Sequence, residues 1–233
     1  MTDALLSALL RLIEEVGPGG RIPPERELAE LVGASRTAIR SRLRELESAG
    51  ALERRGSAGT FARTMAPSDV AQALRLGLSA SPLGGGEAFQ TIRVALERQA
   101  AKGAAESASP VPIAYAEEAV LRMESTTDPD ELYEADLAFH RSLFHASGDD
   151  ALIFFSEAIG DLLKASVTAR RQRMLALATD IDEMRALHRV ILDAVKSRDP
   201  VAAMAAMDRH FEHIDSLTAT ENVPTPQSVD TTA

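Results

Sequence analysis

Apolar residues recur along most of the chain at the three- and four-residue steps of a helix rather than the alternation of a strand. In residues 3–16, Leu5, Leu9, Leu12, Ile13 and Val16 lie near one stripe. Gly-Pro-Gly-Gly at 17–20 stops that helix, and Pro23-Pro24 prevents its direct continuation. A second helix restarts from Glu25 to Leu31, and Gly33 ends it in a short turn. Ser35 suits the N-cap of a third helix, Arg36 to Ala49, which Gly50 terminates. The pattern then changes. Residues 51–63, ALERRGSAGTFAR, read as two short strands about a Gly-rich turn. Helix, helix–turn–helix and hairpin together are a winged-helix layout. Residues 65–89 hold one short helical stretch between the breaks at Pro67, Pro82 and Gly84-Gly85-Gly86.

Beyond 87 the helical period predicts helices over 87–106, 112–124, 129–146, 150–178, 180–198 and 200–217. Val111-Pro112, Asp128-Pro129 and Asp199-Pro200 read as helix starts, since proline suits the first helical positions. Alanine and leucine are abundant and β-branched runs are missing. The predicted fold is therefore mainly α: an N-terminal winged helix-turn-helix with a small β-wing, followed by an all-α antiparallel helical bundle. The predicted boundaries are 1–65 for the winged helix, 66–86 for a linker with a short helix and 87–217 for the bundle. The last segment, 218–233, is polar, contains two prolines and is expected to be a disordered tail.

Composition narrows the functions. Apolar residues make up 45% and charged residues 26% of the 233, ordinary values for a soluble globular chain. No run of uncharged apolar residues is long enough to span a membrane, and the N-terminus lacks a basic n-region and a cleavage site. Cysteine is absent, which excludes disulfides, thiolate metal sites and Cys nucleophiles. A cytoplasmic location is expected. The net charge of −10 points away from nucleic acid until it is split. Residues 1–65 carry ten Arg against nine acidic residues, +1, and the remainder carries −11. Within 36–63, seven Arg face only Glu45, Glu47 and Glu53, a local +4. All five histidines lie between 140 and 213.

The third helix carries one candidate chemistry. Arg36, Arg40 and Arg44 share a face, while Ile39, Leu43 and Leu46 form the opposing apolar stripe. Its N-terminus, with Ser35, Arg36 and Thr37, offers donors and a positive dipole to phosphates and base edges. Arg can bind guanine O6 and N7 with both arms. A solvated helix with Arg–Glu surface pairs would show the same periodicity. The Gly-rich hairpin with Arg54, Arg55, Gly56 and Gly59 favours a groove reader. From RIPPERELAELVGASRTAIRSRLRELESAGALERRGSAGTF the segment resembles the DNA-binding domain of the GntR family over about residues 5–63. The resemblance implies that Arg26, Ser35, Arg36, Thr37 and Arg40 contact double-stranded operator DNA, with Gly56 at the wing tip in the minor groove. Pro24 stands where the family usually has Ser, Ala34 replaces a common Val, and Ser41-Arg42 replace a common Glu-Ala pair. The operator sequence therefore does not carry over.

The histidines carry the other. Asp136 and His140 are four apart on one predicted helix and face the same way, with His188 and His210 on two later helices. If they converge, three imidazoles and a carboxylate suit Zn²⁺, Ni²⁺, Mn²⁺ or Fe²⁺. Taken singly, each histidine is more often a surface or satisfied buried residue. The segments DLAFHRSLFHASGD (136–149), HRVILDAVKSRDP (188–200) and AAMDRHF (205–211), with IRVALE (92–97), resemble the FCD effector domain of the FadR-type GntR branch. That resemblance implies metal ligands at Asp136, His140, His188 and His210, with zinc foremost, and a small organic acid bound through its carboxylate. Asp149 stands where Asn is usual. His145 and His213 fall outside the pattern; His213, three residues from His210, could compete for the site but is expected at the surface. Arg93 is a candidate second contact to the effector, against the alternative of a surface pair with Glu97. The expected function is transcriptional regulation by a homodimer that releases its operator, as a repressor does, or changes its grip when the effector binds. Two alternatives stay open: a metal-dependent enzyme with an accessory DNA-binding module, and an architectural DNA-binding protein whose bundle only dimerises.

Overall fold

The apolar stripe of the first helix needs a partner, and the next two helices and the hairpin supply it. In the computed structural model, residues 4–79, 85–107, 109–160 and 181–219 are described. Helices α1 (Ala4–Val16), α2 (Glu25–Val32) and α3 (Arg36–Ser48) precede strands β1 (Leu52–Arg54) and β2 (Thr60–Ala62). Leu9, Ile22, Leu28, Ile39, Leu43, Leu46, Leu52 and Ala62 form one buried core among them. The strands pair antiparallel, Leu52 opposite Ala62 and Arg54 opposite Thr60, and the segment at Arg21 bridges to Phe61 on the far side. The tight α2–α3 turn needs Gly33, whose φ of 66° is left-handed. Ser35 then caps α3, its Oγ accepting from the Ala38 amide at 3.2 Å.

Helix α4 (Pro67–Ser79) follows the wing. Arg63 donates to the Gly50 carbonyl at 2.8 Å and pairs with Asp69, whose carboxylate also accepts from the Ala66 amide at 2.7 Å. These bonds tie the start of α4 to the winged helix. The chain divides into two compact units, Met1–Gly84 and Gly85–Ala233, and α4 falls in the first.

The second unit is helical wherever it is described. Its helices are α5 (Gly85–Ser107), α6 (Pro110–Ser125), α7 (Pro129–Ser147), residues 150–160 as α8, α9 (Ile181–Lys196) and α10 (Pro200–Ala219). Helix α7 packs on α5 and α6, and α10 packs on α5 and α9. The core is built largely from alanine, including Ala100, Ala101, Ala104, Ala105, Ala203 and Ala206, filled by Phe139, Leu143, Met123, Ile191, Leu192 and Met207. Small residues let helix axes approach closely, and the few large ones seal the gaps.

The structure shifts several predicted boundaries. Helix α6 starts at Pro110 behind Ser109, a residue pair earlier than Pro112. Pro112 is accommodated in the first turn, where its missing N–H has no helical partner to lose. Helix α5 takes in Gly85 and Gly86, read from the sequence as a break. Helix α10 runs to Ala219, so residues 218 and 219 are helical rather than tail. The remaining tail, 220–233, and positions 161–178 of the predicted fourth bundle helix lie outside the described residues. No described helix is long and apolar enough to cross a membrane.

Candidate functional site

Two sets of side chains stand out, one in each unit. In the first, Arg26 on α2, Ser35, Arg36, Thr37 and Arg40 on α3 and Gly56 in the wing are all exposed. The exposure of Arg36, Thr37 and Arg40 follows from α3, which buries Ile39, Leu43 and Leu46 on its other face. Gly56 opens the single 3₁₀ turn (Gly56–Ala58) at the hairpin tip, with a φ of 52° and open space where a Cβ would point.

The Arg cluster is largely paired within the protein. Arg40 forks onto Glu25, with its Nη2 donating at 2.8 Å, and its guanidinium holds the Glu25 carboxyl below the usual range. Arg42 meets Glu45 at 2.5 Å, Arg54 meets Glu47 at 3.1 Å, Arg55 meets Glu53 at 3.0 Å, and Arg63 meets Asp69. Arg55 also lies over the Phe61 ring, 4.7 Å from its centroid. Arg36 and Arg44 stand exposed outside these pairs. Exposed pairs of this kind contribute little to stability, so exchanging a carboxylate for a phosphate costs little.

In the second unit, α7 supplies Asp136 and His140, α9 supplies His188 and α10 supplies His210. The three imidazoles are buried, and one ring nitrogen from each lies within 4.8 Å of the others. The Nε2 atoms of His140 and His188 are 3.4 Å apart. The Asp136 Oδ1 lies 2.9 Å from the Nε2 of His188 and 3.6 Å from that of His140. Asp136 thus stands against two of the three histidines. Fully buried Phe139 sets its ring edge-on to His140 and His188, and Phe211 packs on His210.

Proton positions follow from the partners. His188 Nδ1 donates to the Met184 carbonyl at 2.7 Å, which leaves its Nε2 lone pair facing Asp136 and His140. His210 is buried with neither ring nitrogen hydrogen-bonded among the described residues. Burial and the neighbouring His188 and His140 hold it well below the usual histidine range, so it is neutral. Burial opposes charge on Asp136, yet the neighbouring His140 holds its carboxyl well below the usual range. Burial likewise opposes a proton on His140, but the Glu97 and Asp136 carboxylates push it up to about 9. An unsatisfied buried polar group costs roughly 1–3 kcal/mol, so converging lone pairs need a cation or a proton. Once His140 releases its proton, three imidazole nitrogens beside a carboxylate are the donor set of a divalent transition metal.

Arg93 does pair with Glu97 one turn along α5, but the pair is not on the surface: the side chains are 13% and 4% exposed. Glu97 reaches past Arg93 to touch the Nδ1 of His140 through its second oxygen. Arg93 also lies over the Phe211 ring, 5.6 Å from its centroid, which puts it beside the histidine cluster. Glu97 is the residue that sequence reasoning did not place in the site. A signal existed: position 97 falls on the stripe that continues through buried Ala100, Ala101 and Ala104. A carboxylate on a buried stripe requires a charged or hydrogen-bonding partner. His145 is exposed. His213 is not a surface residue; its side chain is 13% exposed, with Nδ1 3.8 Å from Glu183.

Comparison with known proteins covers both units. Residues 3–62 match the model of bacterial regulatory proteins of the gntR family, and residues 88–213 match the FCD domain. The chain is 30% identical over 222 residues to an Escherichia coli (strain K12) protein named for regulation of the L-lactate dehydrogenase operon, covering 92% of this chain and 84% of that one. It is 27% identical over 205 residues to the HTH-type transcriptional regulator LutR of Bacillus subtilis (strain 168), covering 87% and 93%. Among solved structures, Streptococcus agalactiae GntR superposes with a TM-score of 0.61 at 25% identity, covering 94% of this chain and all of that one. With helix–turn–helix, wing and helical domain all matched, and with transcriptional regulators rather than enzymes as its relatives, the chain belongs to the gntR family of bacterial regulatory proteins and is a transcriptional regulator that carries an FCD domain.

Proposed function

We propose that the protein reads operator DNA with residues 1–65 and gates that reading with a small carboxylate bound beside a divalent metal, foremost zinc, in residues 87–217. The carrying observation is the buried convergence of His140, His188 and His210 beside Asp136. Those four residues would hold the ion, which supplies a positive centre for an effector carboxylate. Arg93 gives its Nε to Glu97, and its terminal amino groups are assigned to the effector's other end. Arg26, Ser35, Arg36, Thr37, Arg40 and Gly56 are assigned to DNA, with α3 in the major groove and the wing in the minor groove. A homodimer would present two such heads to two half-sites at a fixed helical spacing. The effector acts by binding one arrangement of the heads more tightly than the other.

Two measurements test this reading. Elemental analysis of purified protein should find about one metal ion per chain, with the content falling sharply in His188→Ala. Equal content in both proteins would remove the metal site. Gel retardation of DNA flanking the protein's own gene should show specific binding at moderate salt, altered by one member of a panel of small acids. L-lactate belongs in that panel because of the E. coli relative's name. Absence of specific retardation would sink the DNA half. Specific binding that no acid alters would instead favour a bundle that only dimerises.

A further inference from the structure

We propose that Glu97 is a positioning residue of the histidine centre: its carboxylate accepts the Nδ1 proton of His140 and so holds the Nε2 of that ring toward Asp136, His188 and His210. The inference rests on the metal reading above for its consequence, but on geometry for its substance. Glu97 is 3% exposed and its two oxygens are divided. Oε1 accepts from Arg93 Nε, one turn earlier on α5, and Oε2 touches His140 Nδ1 on α7. Oε2 and His140 Nδ1 are both buried, neither makes a hydrogen bond among the described residues, and their close contact is an ion pair between them. A carboxylate carries no proton to donate, so the proton of this contact sits on Nδ1. Once the ring gives up its other proton, as a metal ligand must, the Nε2 lone pair faces the cluster. His188 is fixed the same way, its Nδ1 donating to the Met184 carbonyl. Two of the three imidazoles are thereby set in one tautomer by acceptors outside the cluster. His210 has no such acceptor among the described residues.

Such outer partners fix ring orientation and raise ligand basicity, and their loss typically reduces metal affinity roughly 10–100-fold. Arg93 has a part in this. Without a cation beside it, a carboxylate so deeply buried would not stay charged. The guanidinium keeps Glu97 ionised, and the α5 turn keeps it aimed at α7. The Arg-x3-Glu spacing therefore works as one device, Arg93 holding Glu97 and Glu97 holding His140.

The experiment uses the full-length protein, with Zn²⁺ affinity measured by competition against a chromophoric chelator and the His140 tautomer read by ¹⁵N NMR of metal-free protein brought above about pH 9, where the ring is neutral. Glu97→Ala should weaken Zn²⁺ roughly 10–100-fold and mix the His140 tautomers, while Glu97→Gln, whose amide oxygen can still accept, should recover part of the affinity. Removing Glu97 also strands Arg93 in the interior, so Arg93→Met with Glu97→Leu provides the control. Zn²⁺ affinity restored to wild type in that double variant would show that Glu97 only neutralises Arg93, and would overturn the proposal. So would an unchanged His140 tautomer in Glu97→Ala. If wild type binds no Zn²⁺, the metal reading fails, while the tautomer comparison still decides the role of Glu97.

Discussion

Arg36 is the first helical residue of α3, exposed beside the Ser35 cap and outside the ion pairs that engage five other arginines of the cluster. An arginine at the start of a helix that no carboxylate claims among the described residues would meet DNA without first breaking an ion pair. Arg36→Ala is expected to weaken operator binding by about 1–3 kcal/mol if both arms meet a guanine, measured by fluorescence anisotropy at fixed salt. Loss of a similar amount from nonspecific DNA would mean that Arg36 contacts phosphate only. Arg40 has a different cost, since its guanidinium must leave Glu25. The sequence shows both arginines on one face. Only the fold shows that Glu25, on the preceding helix, claims one of them.

At the scale of elements, helix periods and turn residues were legible almost throughout, and the ends were not. The shift of α6 to Pro110 has a local cause, because Ser109 offers an extended cap position just before two closely spaced prolines. Close helix packing was hidden for another reason: it depends on which small residue meets which. Gly103 in α5 faces Ser147 in α7, and a Cβ built on Gly103 would come 2.8 Å from the Ser147 Cβ. Ser147 is itself held, its Oγ donating to the Phe144 carbonyl at 2.7 Å. Replacing Gly by Ala in a helix ordinarily gains about 1 kcal/mol, whereas forced overpacking costs about 1–3 kcal/mol. Gly103→Ala is therefore expected to destabilise the bundle by about 1 kcal/mol in urea unfolding, and Ser147→Gly in the same chain should relieve it. A gain in stability from Gly103→Ala alone would mean that α5 and α7 yield easily.

For the whole molecule, two compact units with separate cores predict two unfolding transitions. A ligand that binds only folded protein stabilises it by about 2.7 kcal/mol at a hundred times its Kd. If the histidine centre holds a metal, dialysis against a chelator should lower the melting transition of the bundle in calorimetry and leave that of the winged helix in place. Adding Zn²⁺ should restore it. Two transitions that both ignore the chelator would contradict the metal. The charge divides with the units: +1 lies in residues 1–65 and −11 in the rest. On the proposed reading, the acidic remainder would disfavour nonspecific contact with DNA and make binding depend on placement of α3 and the wing.

By itself the sequence determined the elements, the winged-helix order, the Arg face of α3 and the candidacy of Asp136, His140, His188 and His210. These are local properties, set by a 3.6-residue period, by caps and by turn residues within a few positions of each other. What only the tertiary structure decided is who meets whom. It brought α7, α9 and α10 together so that three imidazoles share one buried point, turned the Arg93–Glu97 pair inward, and set the second Glu97 oxygen on His140. Helix packing fixes such meetings, because the free energy of burying a charge depends on partners far along the chain.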